Sequence, residues 1–315
     1  MEHLRIQHHT TYYYNNVVEF GRHRLVLRPR EGHDVRVERM RLRIEPAHRL
    51  MWARDVFGNS VAIVDFTASG TQLDIRSDVT IRRSSPFPQQ QPHAPCVISY
   101  PVVYDALETT IATAYLAPSY PDDQEGIQAW LARDIPNVQP HDAEATIFDI
   151  GRRIHDMVKY QRRMERGVQM PSQTLARLSG SCRDMATLMM DAARARGIAA
   201  RFASGYLDCP ASIAGRAAMH AWTEFYLPTL GWRGYDPTLG EPTSLKHVVV
   251  GVSYHPRGVM PVSGVFNGAA SDYREMTAKV KIDRLDNEGD CETQETTALE
   301  QSLDSADQAQ DPPAS

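Results

Sequence analysis

Ser181-Cys182-Arg183-Asp184-Met185-Ala186-Thr187-Leu188-Met189 reads as the opening of a helix whose first residue is a thiol. A Ser followed three residues later by an acid fits a capping box. Behind it Met185, Leu188, Met189 and Ala192 form an apolar stripe, with Arg183, Thr187, Asp191 and Arg194 expected off it. Gly197 ends the helix, and Arg194 and Arg196 suit its negative end. A thiol at the first position faces unpaired backbone N–H groups and the positive end of the dipole. That setting favours an anion by about 0.3–1 kcal/mol, up to ~2 kcal/mol when partly buried. It is too little alone to ionise a thiol whose reference pKa is about 8.5. A cationic partner is required, and His is the usual one. Without that partner Cys182 reads as a small buried hydrophobe.

A partner follows downstream. His220-Ala221-Trp222-Thr223-Glu224-Phe225-Tyr226 and Trp232-Arg233-Gly234-Tyr235-Asp236 are two β runs flanking a Pro228–Gly231 turn. A hairpin centred on residue 228 sets His220 opposite Asp236, with Cβ atoms about 4.5–5.5 Å apart. The carboxylate would then hold one imidazole nitrogen and leave the other for a thiol. A one-residue slip would put the two on opposite faces. By period two, Trp222, Glu224 and Tyr226 share the face of His220. Cys, His and Asp in this order form a nucleophile, base and orienting acid.

Outward from these blocks, 315 residues suggest two domains. Residues 1–83 read as β, in short runs at His8–Tyr14, Arg24–Arg28, Arg41–Ile44 and Val61–Phe66. A fifth run carries Leu73, Ile75, Val79 and Ile81 on one face. This spacing suggests a small sandwich or barrel. Residues 84–105 are a Pro-rich linker and lead-in. From 106 to 284 the pattern turns helical and then β. Asp122 and Asp123 are placed to cap a helix to about Ala132, and His141-Asp142 to start one carrying Ile147, Ile150, Ile154, Met157 and Val158. Strands are expected over Ala200 to Leu207, Met219 to Leu227, Trp232 to Asp236 and Lys246 to Ser253. The fold class is α+β: a β-rich amino-terminal domain, then a helix-and-sheet domain.

Gly180-Ser-Cys182-Arg-Asp184-Met-Ala186, Arg196-Gly197-Ile198-Ala-Ala-Arg201, Gly205-Tyr206, His220-Ala-Trp222-Thr-Glu224, Gly231-Trp232 and Asp236-Pro237-Thr238 together resemble the core of the bacterial transglutaminase-like superfamily. Its members are cysteine proteases and amide-acyl transferases of papain-like α+β fold. Tyr12 to Arg30 and Asp55-Val-Phe-Gly-Asn59 resemble the β-rich domain that often precedes this core. The resemblance spans most of residues 1 to about 283. It departs at Ser181, where many relatives carry an apolar residue.

The resemblance implies Cys182 as nucleophile, His220 as general base and acid, and Asp236 as the group orienting His220. It implies acyl transfer from an amide through a thioester, most simply hydrolytic, on a peptide or protein substrate. Release to an amine instead of water is an alternative. So is an inactive papain-like domain that only binds. The Cys182 N–H is one expected oxyanion donor. Tyr160 or Gln161 could supply another, or be ordinary surface residues. Trp222 is a candidate wall of the acyl site, and Tyr206 a candidate cleft residue, though Trp222 also fits a core role. Glu224 reads as a salt-bridge partner.

Other classes find little footing. There is no dinucleotide or phosphate loop, zinc spacing or calcium loop, so no cofactor or metal is expected. The nearest nucleophile elbow, Gly58-Asn-Ser60-Val-Ala62, ends on the wrong residue. The four cysteines, Cys96, Cys182, Cys209 and Cys291, form no Cys-x-x-Cys pair and are expected as free thiols. The start lacks the features of a signal peptide and no apolar run could span a bilayer, so a cytoplasmic protein with no membrane partner is expected. The net charge of −5 is uneven. Residues 1–83 hold 14 Arg against 10 acids, residues 84–284 balance, and residues 285–315 hold nine acids and no base. The Arg residues alternate along strands and form no run, so no nucleic-acid partner is expected. The acidic end, 285–315, lacks aromatics and reads as a disordered tail. The oligomeric state has no signal in the sequence.

Overall fold

The computed structural model describes residues 2–84, 98–136, 142–163, 165, 167–209 and 219–285. Five strands open the chain: β1 (Glu2–Leu25), β2 (Val35–Glu45), β3 (His48–Arg54), β4 (Ser60–Phe66) and β5 (Gly70–Arg83). β1 alternates buried and half-exposed residues, as a strand with one face on a core should. It is long enough to enter two ladders. Up to Tyr13 it pairs with β5, Leu4 facing Ile81 and Ile6 facing Val79. Past a register shift after Tyr13, its end pairs with β4 at His23, Arg24 and Leu25. The order is β2-β5-β1-β4-β3. This is the expected β-rich domain, as a nearly barrel-like sheet.

The helical part begins earlier than the periodicity suggested. α1 (Ala106–Leu116) is capped by Asp105, which accepts from the N–H groups of Leu107 and Glu108. A short 3₁₀ turn, Pro121–Asp123, leads into α2 (Gln124–Asp134). The Asp123 carboxylate does not cap α2 as expected. It accepts from the N–H of Ser172 at 2.8 Å, pinning a later helix. α3 (Ala143–Met157) is capped by Asp142, as expected; His141 lies outside the described residues. A two-residue strand β6 (Lys159–Tyr160), α4 (Pro171–Arg177) and β7 (Ser179–Gly180) then lead to α5 (Cys182–Ala195).

α5 is buried nearly all round. Thr187, Asp191 and Arg194, expected off the apolar stripe, are 0 %, 0 % and 4 % exposed. The helix is central, with sheet on one side and α1–α4 on the others, so its polar residues needed internal partners. Arg194 donates to the carbonyls of Ala117, Ala200 and Tyr254, and Asp191 accepts from the N–H of Ser119. Gly197 ends the helix at φ +73°, with Ile198 N–H on Ala193 O and Gly197 N–H on Arg194 O, the Schellman pairing.

Next come β8 (Ala200–Leu207), β9 (Met219–Leu227), β10 (Gly231–Asp236), β11 (Glu241–Pro242) and β12 (His247–Ser253). They form an antiparallel sheet ordered β11-β10-β9-β8-β12. Ala221, Phe225 and Leu227 of β9 join the core beneath α5. The last strands, β13 (Val262–Asn267) and β14 (Tyr273–Leu285), do not extend this sheet. Both pair with β1. The carboxy-terminal part of 106–284 thus adds strands to the amino-terminal sheet. Pairing across so long a separation has no local sequence signal. Leu4, Ile6, Val79 and Ile81 pack with Tyr206, Val248 and Val250, so both sheets share one compact unit, Met1–Arg284. Most of the expected Pro-rich linker (85–97) and nearly all of the acidic tail (286–315) lie outside the described residues. Among the described residues no helix is long and apolar enough to cross a membrane.

Candidate active site

Ser181 is the N-cap of α5 and Cys182 its first residue. The capping acid works as expected, with one difference. Asp184 accepts from both the N–H and the hydroxyl of Ser181, each at 2.8 Å, so the hydroxyl donates to the carboxylate. Asp184 is fully buried and also accepts from Arg163 and the Gln169 N–H. Burial alone would raise its pKa, but these hydrogen bonds outweigh it and hold the carboxyl below its ordinary value. Cys182, 8 % exposed, has no intrahelical acceptor for its N–H. Neither Cys182 nor Cys209 is in a disulfide; Cys96 and Cys291 lie outside the described residues.

His220 stands on β9, and its Nε2 lies 2.7 Å from Oδ2 of Asp236. The other ring nitrogen is left for Cys182, which stands close enough for its charge to act on the imidazole. The hairpin that brings His220 and Asp236 together is not centred on residue 228. Leu227 pairs with Gly231, and Thr223 with Tyr235. Thr229 (φ +68°) and Gly231 (φ +72°) turn the chain one position later than expected. Asp236 thus lies diagonal to His220, not opposite it. The shift along the ladder is two residues, which keeps both on one face.

Burial by itself would lower the His220 pKa. The negative charge of Cys182 and the hydrogen bonds to Asp236 and Cys182 outweigh it and push the value up to about 10. Asp236 is wholly buried, which would raise its pKa, yet bonds from two imidazoles hold it well below the usual carboxylate range. The second imidazole is His247, at the start of β12. Its Nδ1 accepts from the N–H of Ser244 at 3.1 Å, so its proton is on Nε2, which donates to Asp236 Oδ2 at 3.2 Å. The other carboxylate oxygen accepts from the N–H of Thr238 at 2.8 Å. His247 was not legible in the sequence. It reaches Asp236 across β8 and β9, and a single His gives no spacing signal.

The remaining candidates divide. Tyr160, on β6, is 37 % exposed and close enough to Cys182 for the sulfur's charge to raise its phenol pKa, after burial, the larger cause. Gln161 follows it, its N–H on Gly180 O at 2.8 Å. Trp222 is fully buried. It packs at 6.3 Å from the His220 ring and edge-on at 5.1 Å to His247, so it backs the imidazoles and does not wall an open acyl site. Gly205, paired with His220, makes room for it: a Cβ there would lie 2.7 Å from the indole and 2.1 Å from Val248 O. Tyr206 does not belong to the site. It points to the opposite side of β8 from Gly205, is fully buried, and meets His8 Nδ1 through its hydroxyl at 3.1 Å. Glu224 makes the expected salt bridge, to Arg201 at 2.7 Å. Among the described residues no group of side chains could hold a metal ion.

Comparison with known proteins agrees with this geometry. Residues 131–237 match the model of the transglutaminase-like superfamily, and residues 4–82 that of the bacterial transglutaminase-like N-terminal region. An uncharacterized protein of Mycobacterium tuberculosis strain H37Rv is 27 % identical over 298 residues, covering 91 % of this chain and 93 % of its own. A Mycobacterium leprae homologue, also uncharacterized, is 25 % identical over 287 residues, 90 % of this chain and 99 % of its own. A crystal structure of a Cytophaga hutchinsonii protein described as a candidate cysteine protease superposes with a TM-score of 0.69. It covers 90 % of this chain and 91 % of its own, at 16 % identity.

Proposed function

We propose that this chain, which belongs to the transglutaminase-like superfamily, is a thiol hydrolase that cleaves amide bonds of peptides or proteins. The observation that carries the reading is one imidazole bonded to a buried carboxylate beside a thiol: His220 is 2.7 Å from Asp236 and close enough to Cys182 to feel its charge. The Cys182 sulfur attacks the amide carbonyl carbon, and the resulting oxyanion takes the Cys182 N–H. Tyr160, whose phenol feels the charge of Cys182, is the candidate second donor. His220 then protonates the leaving amine nitrogen as the C–N bond breaks, leaving a thioester. Water attacks the thioester carbon while His220 takes its proton; the C–S bond then breaks, the carboxylic acid departs, and the Cys182 sulfur is restored beside the protonated His220.

The electrostatics suit these roles in turn. The His220 pKa is pushed up to about 10 partly by the charge on Cys182. That charge disappears once the C–S bond forms. The imidazolium then becomes a stronger acid at the moment a proton is needed. General acid–base help of this kind gives ~10²–10⁴ in rate, or about 3–5 kcal/mol of barrier.

Iodoacetamide at pH ~6 tests the pairing. Cys182 should react well before Cys96, Cys209 and Cys291, and His220→Ala should slow it by at least about tenfold. Equal reaction of all four thiols would sink the proposal. Cys182→Ala should lose all amide cleavage and keep its fold by circular dichroism. A peptide and isopeptide library with hydroxylamine as trap, read by mass spectrometry, then separates hydrolysis from amine transfer.

A further inference from the structure

An open groove of about 360 Å³ with arginines on its walls is lined by Ser179, three residues before the thiol, and Tyr160 feels the charges of both Arg162 on that wall and Cys182. Lining residues Gln161 and Ser179 flank the parallel pairing of Tyr160 with Gly180, and the chain passes from Gly180 through Ser181 into Cys182. Arg162 and Arg163 come from the segment after β6, and Arg177 from the end of α4. These three cations are not equal. Arg163 is already balanced: its Nη1 lies 2.7 Å from buried Asp184, and its Nε is 3.5 Å from Glu165 at the rim. Arg162 and Arg177 are exposed, and among the described residues no carboxylate pairs with either. Arg183, on the first turn of α5, is equally without one.

The floor also has unfilled hydrogen-bonding capacity. Gln169 is 3 % exposed and lines the groove. Its Nε2 is used by Ser179 O and Asp184, which fixes the amide orientation and leaves Oε1 buried with no partner. An unpartnered buried acceptor is costly unless a ligand donates to it. A groove that carries two guanidinium groups with no carboxylate partner among the described residues, and one buried carbonyl acceptor, close along the chain to a nucleophile, matches a peptide segment. Its N–H can meet Gln169 while its carboxylate meets the arginines.

We infer that this groove is a substrate subsite that takes a carboxylate-bearing peptide segment, held by Arg162 and Arg177, so that amides beside an acidic group are presented to Cys182. The inference rests on the thiol-hydrolase reading. It selects acidic over neutral or basic substrates at one position next to the scissile bond.

Alkylation of Cys182 in the full chain tests the subsite apart from turnover. Iodoacetate carries a carboxylate and iodoacetamide does not, while both report the same sulfur. Any effect of a variant on the thiol itself cancels in the ratio of their rates. Iodoacetate should saturate with concentration and iodoacetamide should not. In Arg162→Gln/Arg177→Gln the rate ratio should fall about fivefold or more, equivalent to ~1 kcal/mol for the two exposed charge contacts together, with saturation lost. An unchanged ratio overturns the subsite even if Cys182 stays hyper-reactive. A slow Cys182 whose ratio still falls in the variant removes the hydrolase reading and keeps the anion site. Protection against iodoacetamide then identifies the carboxylate. N-acetyl-glutamate amide should protect if a side chain is held, and N-acetyl-glutamine free acid if a chain terminus is held. Equal protection by the neutral N-acetyl-glutamine amide overturns the subsite.

Discussion

At Asp236 two imidazoles share one oxygen, and the two are not equivalent. His220 faces the thiol, whereas His247 is fixed by Ser244 as a donor and touches nothing that reacts. Its place is to keep the carboxylate ionised and aimed. His247→Phe keeps a ring against Trp222 and removes the bond. The expected result is a loss of about tenfold in Cys182 alkylation at pH ~6, the scale of one hydrogen bond to a charged group, and less than that for His220→Ala. The titrations also set stability limits. Asp236 is held below its ordinary value, so its contribution is present above about pH 3.9 and is lost as pH falls through the depressed value. His220, raised to about 10, contributes fully below about pH 6.5 and loses that contribution as pH rises through 10. Melting temperatures from pH 3 to 11 should show a plateau with two falling arms, and Cys182→Ala should flatten the alkaline one.

At the scale of elements, the joint between α3 and β10 is set by an absent side chain. A Cβ on Gly151 would sit 2.2 Å from the Tyr235 ring, which is tied by its hydroxyl to Gly240 O at 2.7 Å and cannot retreat. Gly151→Ala should cost about 1–3 kcal/mol by denaturant unfolding, despite the better helix propensity of Ala. Elements of this kind were unevenly legible. The strands around His220 and Asp236 could be read because alternation and turn residues are local. The register could not, because it depended on Thr229 adopting a left-handed backbone. The pairing survived because a two-residue shift preserves the face. Tyr206 was misplaced because adjacency to Gly205 says nothing about which side of β8 meets the other sheet. The polar residues of α5 looked solvent-facing because sequence shows a helix's composition and not how many neighbours surround it.

Over the whole molecule, Arg83 ties the two sheets together. It is 2 % exposed, ends β5, and reaches Glu2, Asp208 and the carbonyl of Leu245. Arg83→Ala strips its partners of a buried cation and should cost about 3–5 kcal/mol, read as a lower denaturation midpoint. The strands that finish the first sheet carry a different kind of consequence. β1 is made long before β13 and β14, which begin at Val262 and pair with it. At about 5–20 residues per second, β1 waits on the order of 10–50 s for them during translation. Through that interval a long strand edge is open to any passing chain. The nascent polypeptide, more than the finished protein, is thus the form exposed to misassembly, and the form for which chaperone protection matters most.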